Sequence, residues 1–206
     1  MLEKLKMNKI LWNPSNSNKT SMMKFMQNIN SKYDLDLNDY QTLYDWSVKN
    51  IPEFWLEFFS FSKVLYNGDP TNVIEDLTMK PNTKWFPEVS LNFAENLLKH
   101  KNSNKVAIIS KNERSETTKI RYNELYVKVT NLAHSMKSFG VKPGDRIAAI
   151  LPNSHDAVIA MLATTSIGAI WSSCSPDFGV SSVTERFKQI EPKLIFSIHS
   201  YNYNGK

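Results

Sequence analysis

Four consecutive residues, Ser172, Ser173, Cys174 and Ser175, carry side chains suited to nucleophilic attack, and they fall where a strand-like run gives way to Pro176-Asp177-Phe178-Gly179. A hydroxyl or thiol nucleophile needs a base within hydrogen-bond reach and a further group to orient that base. The sequence identifies neither, so turn-forming hydroxyls are the plainer reading. The segment Pro176 to Gly179 fits a binding loop and a turn into the next helix equally well. His100, His134, His155 and His199 each stand alone, none at metal-ligand spacing from another His or from the one Cys. They read as a solvated helix flank (His134), a helix start (His155) and a strand end (His199). Asp145-Arg146, after Pro143-Gly144, reads as turn chemistry with room for an ion pair. The six glycines form neither a P-loop nor a G-x-G-x-x-G run, the two arrangements that close backbone N–H groups around a phosphate. Residue chemistry alone names no catalytic residue and no metal ligand.

The elements that must position these residues are legible from periodicity. Val106 to Ser110 and Thr118 to Tyr122 read as the strands of a hairpin, with the polar run Lys111 to Thr117 as its loop. Leu125, Val129, Leu132, Ala133 and Met136 recur at helical spacing, with Gly140 placed just past the end. Arg146 to Leu151 is a near-continuous apolar run, as in a strand covered on both faces. Ser154 then caps a helix through Ser166, ended by Gly168. Ala169 to Cys174 is a further strand, Ser182 to Glu185 is a capping box opening a helix with Val183, Phe187 and Ile190 inward, and Leu194 to Ile198 is the last strand. This alternation predicts an α/β fold. The strands at 146–151, 169–174 and 194–198 are expected to be parallel, with helices near 124–138, 155–166 and 182–190 as right-handed crossovers. No helix follows the last strand to cover it, so the sheet reads as incomplete and the chain as the N-terminal piece of something longer.

Upstream, Tyr40, Leu43, Tyr44 and Val48 mark one helix and Pro52 opens another with Phe54, Trp55, Phe58 and Phe59 as its aromatic face. A third is expected between Ser90 and Leu98. With Trp46, Trp85 and Phe86, these aromatics at helical spacing read as core packing rather than as a cradle for a flat ligand. Residues 1–38 read as a loosely attached arm with a weak amphipathic stretch near Met22 to Ile29, 39–98 as a small helical lead-in domain, and 99–206 as the first part of an α/β domain.

With 206 residues, 41% hydrophobic and 12% aromatic, the chain can bury a core, and disorder is excluded. Its net charge of +5 favours anionic ligands only weakly. Four arginines (Arg114, Arg121, Arg146 and Arg186) are too few for the bidentate forks that read nucleic acid, which is set aside as a partner. The longest apolar stretch, Ala157 to Ala163, falls well short of the ~20 residues of a membrane span. A single cysteine excludes an internal disulfide, and Met1 to Lys24 has no targeting pattern, so the cytoplasm is the expected location.

Several segments, in this order and spacing, resemble the acyl-CoA synthetases of the adenylate-forming superfamily. Trp85-Phe86-Pro87 followed by Leu91 to Leu98 resembles their lead-in. Gly140 to Ile147, Leu151-Pro152-Asn153 and Ala157 to Ala163 are similar to the first block of that superfamily. Ile167 to Gly179, with Arg186-Phe187 and Glu191-Pro192-Lys193, resembles the acetoacetyl-CoA synthetases in particular. Acetyl-CoA synthetases usually carry a Gly-Gly-Phe-like sequence where this chain has Pro176 to Gly179. The resemblance runs from about Trp12 to the end and includes Leu43 to Val48 and Pro52 to Trp55.

What the resemblance implies is the first part of an AMP-binding domain behind a helical lead-in. The implied reaction is a two-step ligation of acetoacetate, a small-molecule substrate, using ATP, Mg²⁺ and CoA. It also implies that the phosphate loop and the adenylation lysine follow Lys206, so no catalytic residue is assigned and the chain alone is expected to be inactive. In acetyl-CoA synthetases a glycine and two arginines approach CoA at positions matching Asp177, Tyr203 and Lys206. Asp177 adds a negative charge, Tyr203 removes a cation, and only Lys206 carries over as a CoA-binding residue. The competing readings are an acetyl- or propionyl-CoA synthetase fragment and a non-catalytic α/β binding module.

Overall fold

The computed structural model describes residues 12–78, 80–202 and 204–205. The chain divides into two compact units, Met1–Ser90 and Leu91–Lys206.

In the first unit, α1 (Ser21–Tyr33), α2 (Tyr40–Lys49) and α3 (Ile51–Phe61) precede a short antiparallel pair, β1 (Asn67–Gly68) and β2 (Val89–Ser90). Each of the first two helices starts at a side-chain cap. Thr20 accepts from the Met23 N–H, and Asp39 and Thr42 form a reciprocal capping box. Phe25, Met26, Ile29 and Leu43 are buried together, with Trp46, Phe54 and Phe61 packed against them. Phe25 stands edge-on to Phe54 and Phe58 with centroids 5.8 and 5.9 Å away, the arrangement that ring quadrupoles favour. Trp55 packs on Trp85 and Phe59 on Phe86, so the aromatics pack on one another as their spacing predicts. Trp55, Phe58 and Trp85 nonetheless stay exposed, and only Trp46 and Phe54 of the set are half-buried against that cluster. Residues 21–33 depart from the expected loose arm. They form a capped helix whose apolar stripe is sealed by α3. Beside it, burial and a hydrogen bond to Glu57 push the Tyr33 phenol up to about 12.

The second unit opens with α4 (Phe93–Leu97), capped by Asn92, whose amide also donates to the Thr165 carbonyl at 2.9 Å. β3 (Val106–Lys111) and β4 (Thr117–Arg121) form an antiparallel hairpin, and α5 (Tyr122–Ser138) follows directly. Then come β5 (Arg146–Ile150), α6 (His155–Ser166), β6 (Ile170–Cys174), α7 (Val180–Ile190) and β7 (Leu194–Ser197). The last three strands form one sheet in the order β6-β5-β7, parallel throughout, with Ile147 opposite both Trp171 and Leu194. The expected parallel strands are therefore present.

Two expectations need correction. Because β3 and β4 form a two-stranded sheet of their own, α5 does not link parallel strands of one sheet. It leaves the hairpin at Arg121 and packs Leu125, Val129 and Met136 into the core that α6 completes. The Ser182 capping box is also absent. The chain already turns at Ser175–Phe178, α7 begins at Val180 behind Gly179, and Ser182 lies inside the first helical turn.

Candidate functional site

β5 is the middle strand, and alternate residues point to opposite faces. Ile147 joins the core made with α5 and α6, whereas Ala148 joins Cys174, Val183 and Phe187 of the α7 side. β5 and β6 are neighbours whose following helices lie on opposite faces. Their chains part at the carboxyl ends and leave the crevice where open α/β sheets bind ligands. Three stretches follow the strands at this edge: 151–154 after β5, 175–179 after β6, and 198–202 with 204–205 after β7.

Two members of the nucleophile row, Cys174 and Ser175, take ordinary roles. Cys174 is buried against Ala148, Val183 and Phe187 and is a packing residue. Ser175 Oγ donates to Asp177 Oδ2 at 2.9 Å, as a turn-forming serine does. The other oxygen of Asp177 accepts from the Tyr201 phenol, tying the segment after β7 to the β6–α7 turn. The Arg186 guanidinium lies 5.2 Å from the centre of the Phe178 ring. Beside this turn a groove of about 580 Å³ is lined chiefly by Ile150, Phe178, Val183, Phe187 and Ile195, with Lys188 at its border.

His134 and His199 are exposed. His155 sits on the first turn of α6 with Nε2 3.5 Å from Asp156 Oδ1, while its buried Nδ1 has no hydrogen-bond partner. Among the described residues these contacts place no histidine base beside Ser175 or Cys174, so no nucleophile assembly is formed there. Lys206 and Tyr203 lie outside the described residues.

The residues present do not fit the triphosphate of ATP or its Mg²⁺. Gly140, Gly144 and Gly168, all with positive φ, lie before β5 and β6, at the amino edge of the sheet rather than the ligand edge. Among the described residues no three His, Cys, Asp or Glu side chains converge on one point. The four arginines are likewise committed. Arg146 donates to the Ile190 and Glu191 carbonyls that end α7, Arg121 to the Asn104 carbonyl and Arg114 to Asn202, and Arg186 covers Phe178.

Sequence reasoning missed Glu113, Arg114 and Tyr201. The hairpin tip and the segment after β7 meet through contacts 88 to 92 residues apart in sequence, which leave no periodic trace.

Comparison with known proteins gives a consistent picture. The pattern described as "Acetyl-coenzyme A synthetase N-terminus" matches residues 40–97, and that described as "AMP-binding enzyme" matches residues 94–204. Acetoacetyl-CoA synthetase of Mus musculus is 44% identical over 96% of this chain and 30% of its own length. That of Xenopus tropicalis is 44% identical over 100% of this chain and 31% of its own. The solved structure of acetoacetyl-CoA synthetase from Streptomyces lividans superposes with a TM-score of 0.85 at 34% identity, covering 92% of this chain and 30% of that one. The chain thus spans about 30% of the length of the relatives it matches. With a fold that superposes on that structure and a pattern match running from α4 past β7 over more than half of its length, the chain belongs to the AMP-binding enzyme family.

Proposed function

We propose that this chain is the N-terminal part of an acetoacetate–CoA ligase. The parent would activate acetoacetate as an acyl-adenylate at the expense of ATP, with Mg²⁺, and transfer the acyl group to CoA. The observation that carries the reading is likeness along nearly the whole chain, from the helical lead-in to the segment after β7, to proteins named acetoacetyl-CoA synthetase. In this reading α1 and residues 39–98 together are the helical N-terminal domain, and 99–206 the opening of the adenylation domain, all in the cytoplasm. Among the described residues no helix is long and apolar enough to cross a membrane.

The part assigned to these residues is structural and electrostatic. The β6–β5–β7 sheet supplies the floor on which a ligand edge is built, and the loops at that edge hold the chain that approaches CoA. Lys206 is the one cation here assigned to CoA. The test is acetoacetate-dependent exchange of pyrophosphate into ATP by the full-length parent, compared with acetate and propionate. Exchange greatest with acetoacetate is expected, and no exchange with any of the three overturns the reading. Lys206→Ala is expected to raise the KM for CoA and spare pyrophosphate exchange, and equal losses in both would remove Lys206 from the CoA site.

A further inference from the structure

The segment after β7 is clamped from two sides. On one, Tyr201 donates to Asp177 in the β6–α7 turn. On the other, the backbone N–H groups of Asn204 and Gly205 donate to Glu113 Oε1 and Oε2 at 2.9 and 3.1 Å, and Arg114 Nη2 donates to Asn202 Oδ1 at 3.0 Å. Asn204 and Gly205 have φ of 51° and 75°, and consecutive N–H groups turned to one side form a concave anion site. The carboxylate of Glu113 fills it.

The hairpin tip is itself braced. Asn112 accepts the Glu116 N–H at 3.0 Å and donates to Glu116 Oε2 at 2.7 Å, and Ser115 takes φ 63° to close the turn. The two backbone donors also hold Glu113 below the usual carboxylate range, as expected where they favour its charged form. Glu113, Arg114, Asn202, Asn204 and Gly205 are all exposed, so this linkage adds nothing to the apolar core. A carboxylate that gives both oxygens to one surface strap fixes the path of that strap.

We propose that Glu113 is a positioning residue for the CoA-dependent half of the reaction: through their backbone amides it holds Asn204 and Gly205, in the strap after β7, in one geometry at the ligand edge. The proposal rests on the ligase reading above. It makes a prediction of definite sign. Were the backbone anion site itself the seat of a CoA phosphate, Glu113 would be a competing anion and its removal would tighten CoA binding. As a positioning residue, its removal weakens CoA binding.

The experiment compares Glu113→Gln and Glu113→Ala with the wild type in the full-length protein. Gln keeps one acceptor oxygen where two are used, so it should be intermediate. In Glu113→Ala, amide hydrogen exchange of a peptide covering the strap should quicken about tenfold, as for the loss of charge-assisted hydrogen bonds. The KM for CoA should rise about fivefold, with acetoacetate-dependent pyrophosphate exchange kept within about twofold. Unchanged strap exchange in Glu113→Ala overturns the clamp. Faster strap exchange with an unchanged or lowered KM for CoA overturns the positioning role, as does an equal loss in both half-reactions. Absence of acetoacetate-dependent exchange in the wild type overturns the ligase reading and the CoA role with it, while strap exchange still decides the clamp. Should Glu113→Ala fail to fold, Glu113→Gln decides by the same readouts.

Discussion

Asp145 lies where three segments meet at the amino edge of the parallel sheet. Its Oδ2 accepts the Lys193 ammonium at 2.8 Å and the Lys142 N–H at 2.7 Å, joining the turn after α5 to the start of β7. The Lys193 hydrogen bond, then that of Lys142, with the nearby Lys193 and Arg146 charges, holds its carboxyl below the usual aspartate range. A carboxyl with a lowered pKa in the folded state contributes stability that is complete above the unfolded value of ~4 and lost as pH falls through the folded value. Wild type is therefore expected to melt above Asp145→Asn at neutral pH, with the gap closing below about pH 4. Thermal melts from acid to neutral pH check this, and a gap independent of pH would remove the carboxylate from the account. The turn chemistry of Pro143 to Arg146 was legible because proline, glycine and aspartate act locally. The partner, Lys193, was not, since it comes from 48 residues away. The candidate site divides the same way. The strand end that carries Cys174 to Asp177 could be read from periodicity, but the Asp177–Tyr201 and Glu113–Gly205 pairs join loops distant in sequence.

Helices and strands with long apolar stripes were legible, and α1 shows what was not. Its buried residues are Phe25, Met26 and Ile29, a narrow stripe among Lys24, Gln27, Asn28 and Asn30. So weak a pattern gives little helix by itself, and burial against the aromatics of α3 makes up the difference. Ile29 is 0% exposed. Ile29→Ala should therefore cost about 2–5 kcal/mol in urea unfolding, by lost burial and the cavity left behind. A cost under about 0.5 kcal/mol, typical of a surface change, would return α1 to the status of an arm. Gly68 makes a second test in the same unit. Its φ is +105°, and a Cβ there would run into the Glu88 carbonyl oxygen across the β1–β2 pair. Gly68→Ala is expected to destabilise by about 1–3 kcal/mol through strain, measurable in the same urea titration, and a neutral result would mean that the pair can part at no cost.

For the molecule as a whole, the 206 residues by themselves are expected neither to adenylate acetoacetate nor to bind Mg-ATP tightly. Loss of one preorganised donor to a developing charge typically costs about 10²- to 10³-fold in rate, and among the described residues the backbone anion site at the ligand edge is already filled by Glu113. Isothermal titration with Mg-ATP and pyrophosphate exchange on this chain check it, and saturable micromolar binding with exchange above background would show that a complete site had been overlooked. The position of β5 has a separate consequence, for synthesis. One edge of β5 is taken by β6, but the other waits for Leu194–Ser197, made only after α6, β6 and α7. At roughly 5–20 residues per second the apolar run Ile147 to Ile150 would stand with an open edge for several seconds on the ribosome. A strand bare for that long is a template for a neighbouring nascent chain. On crowded polysomes, ribosome pausing between Glu191 and Ser197 should therefore raise aggregation more than pausing before Arg146.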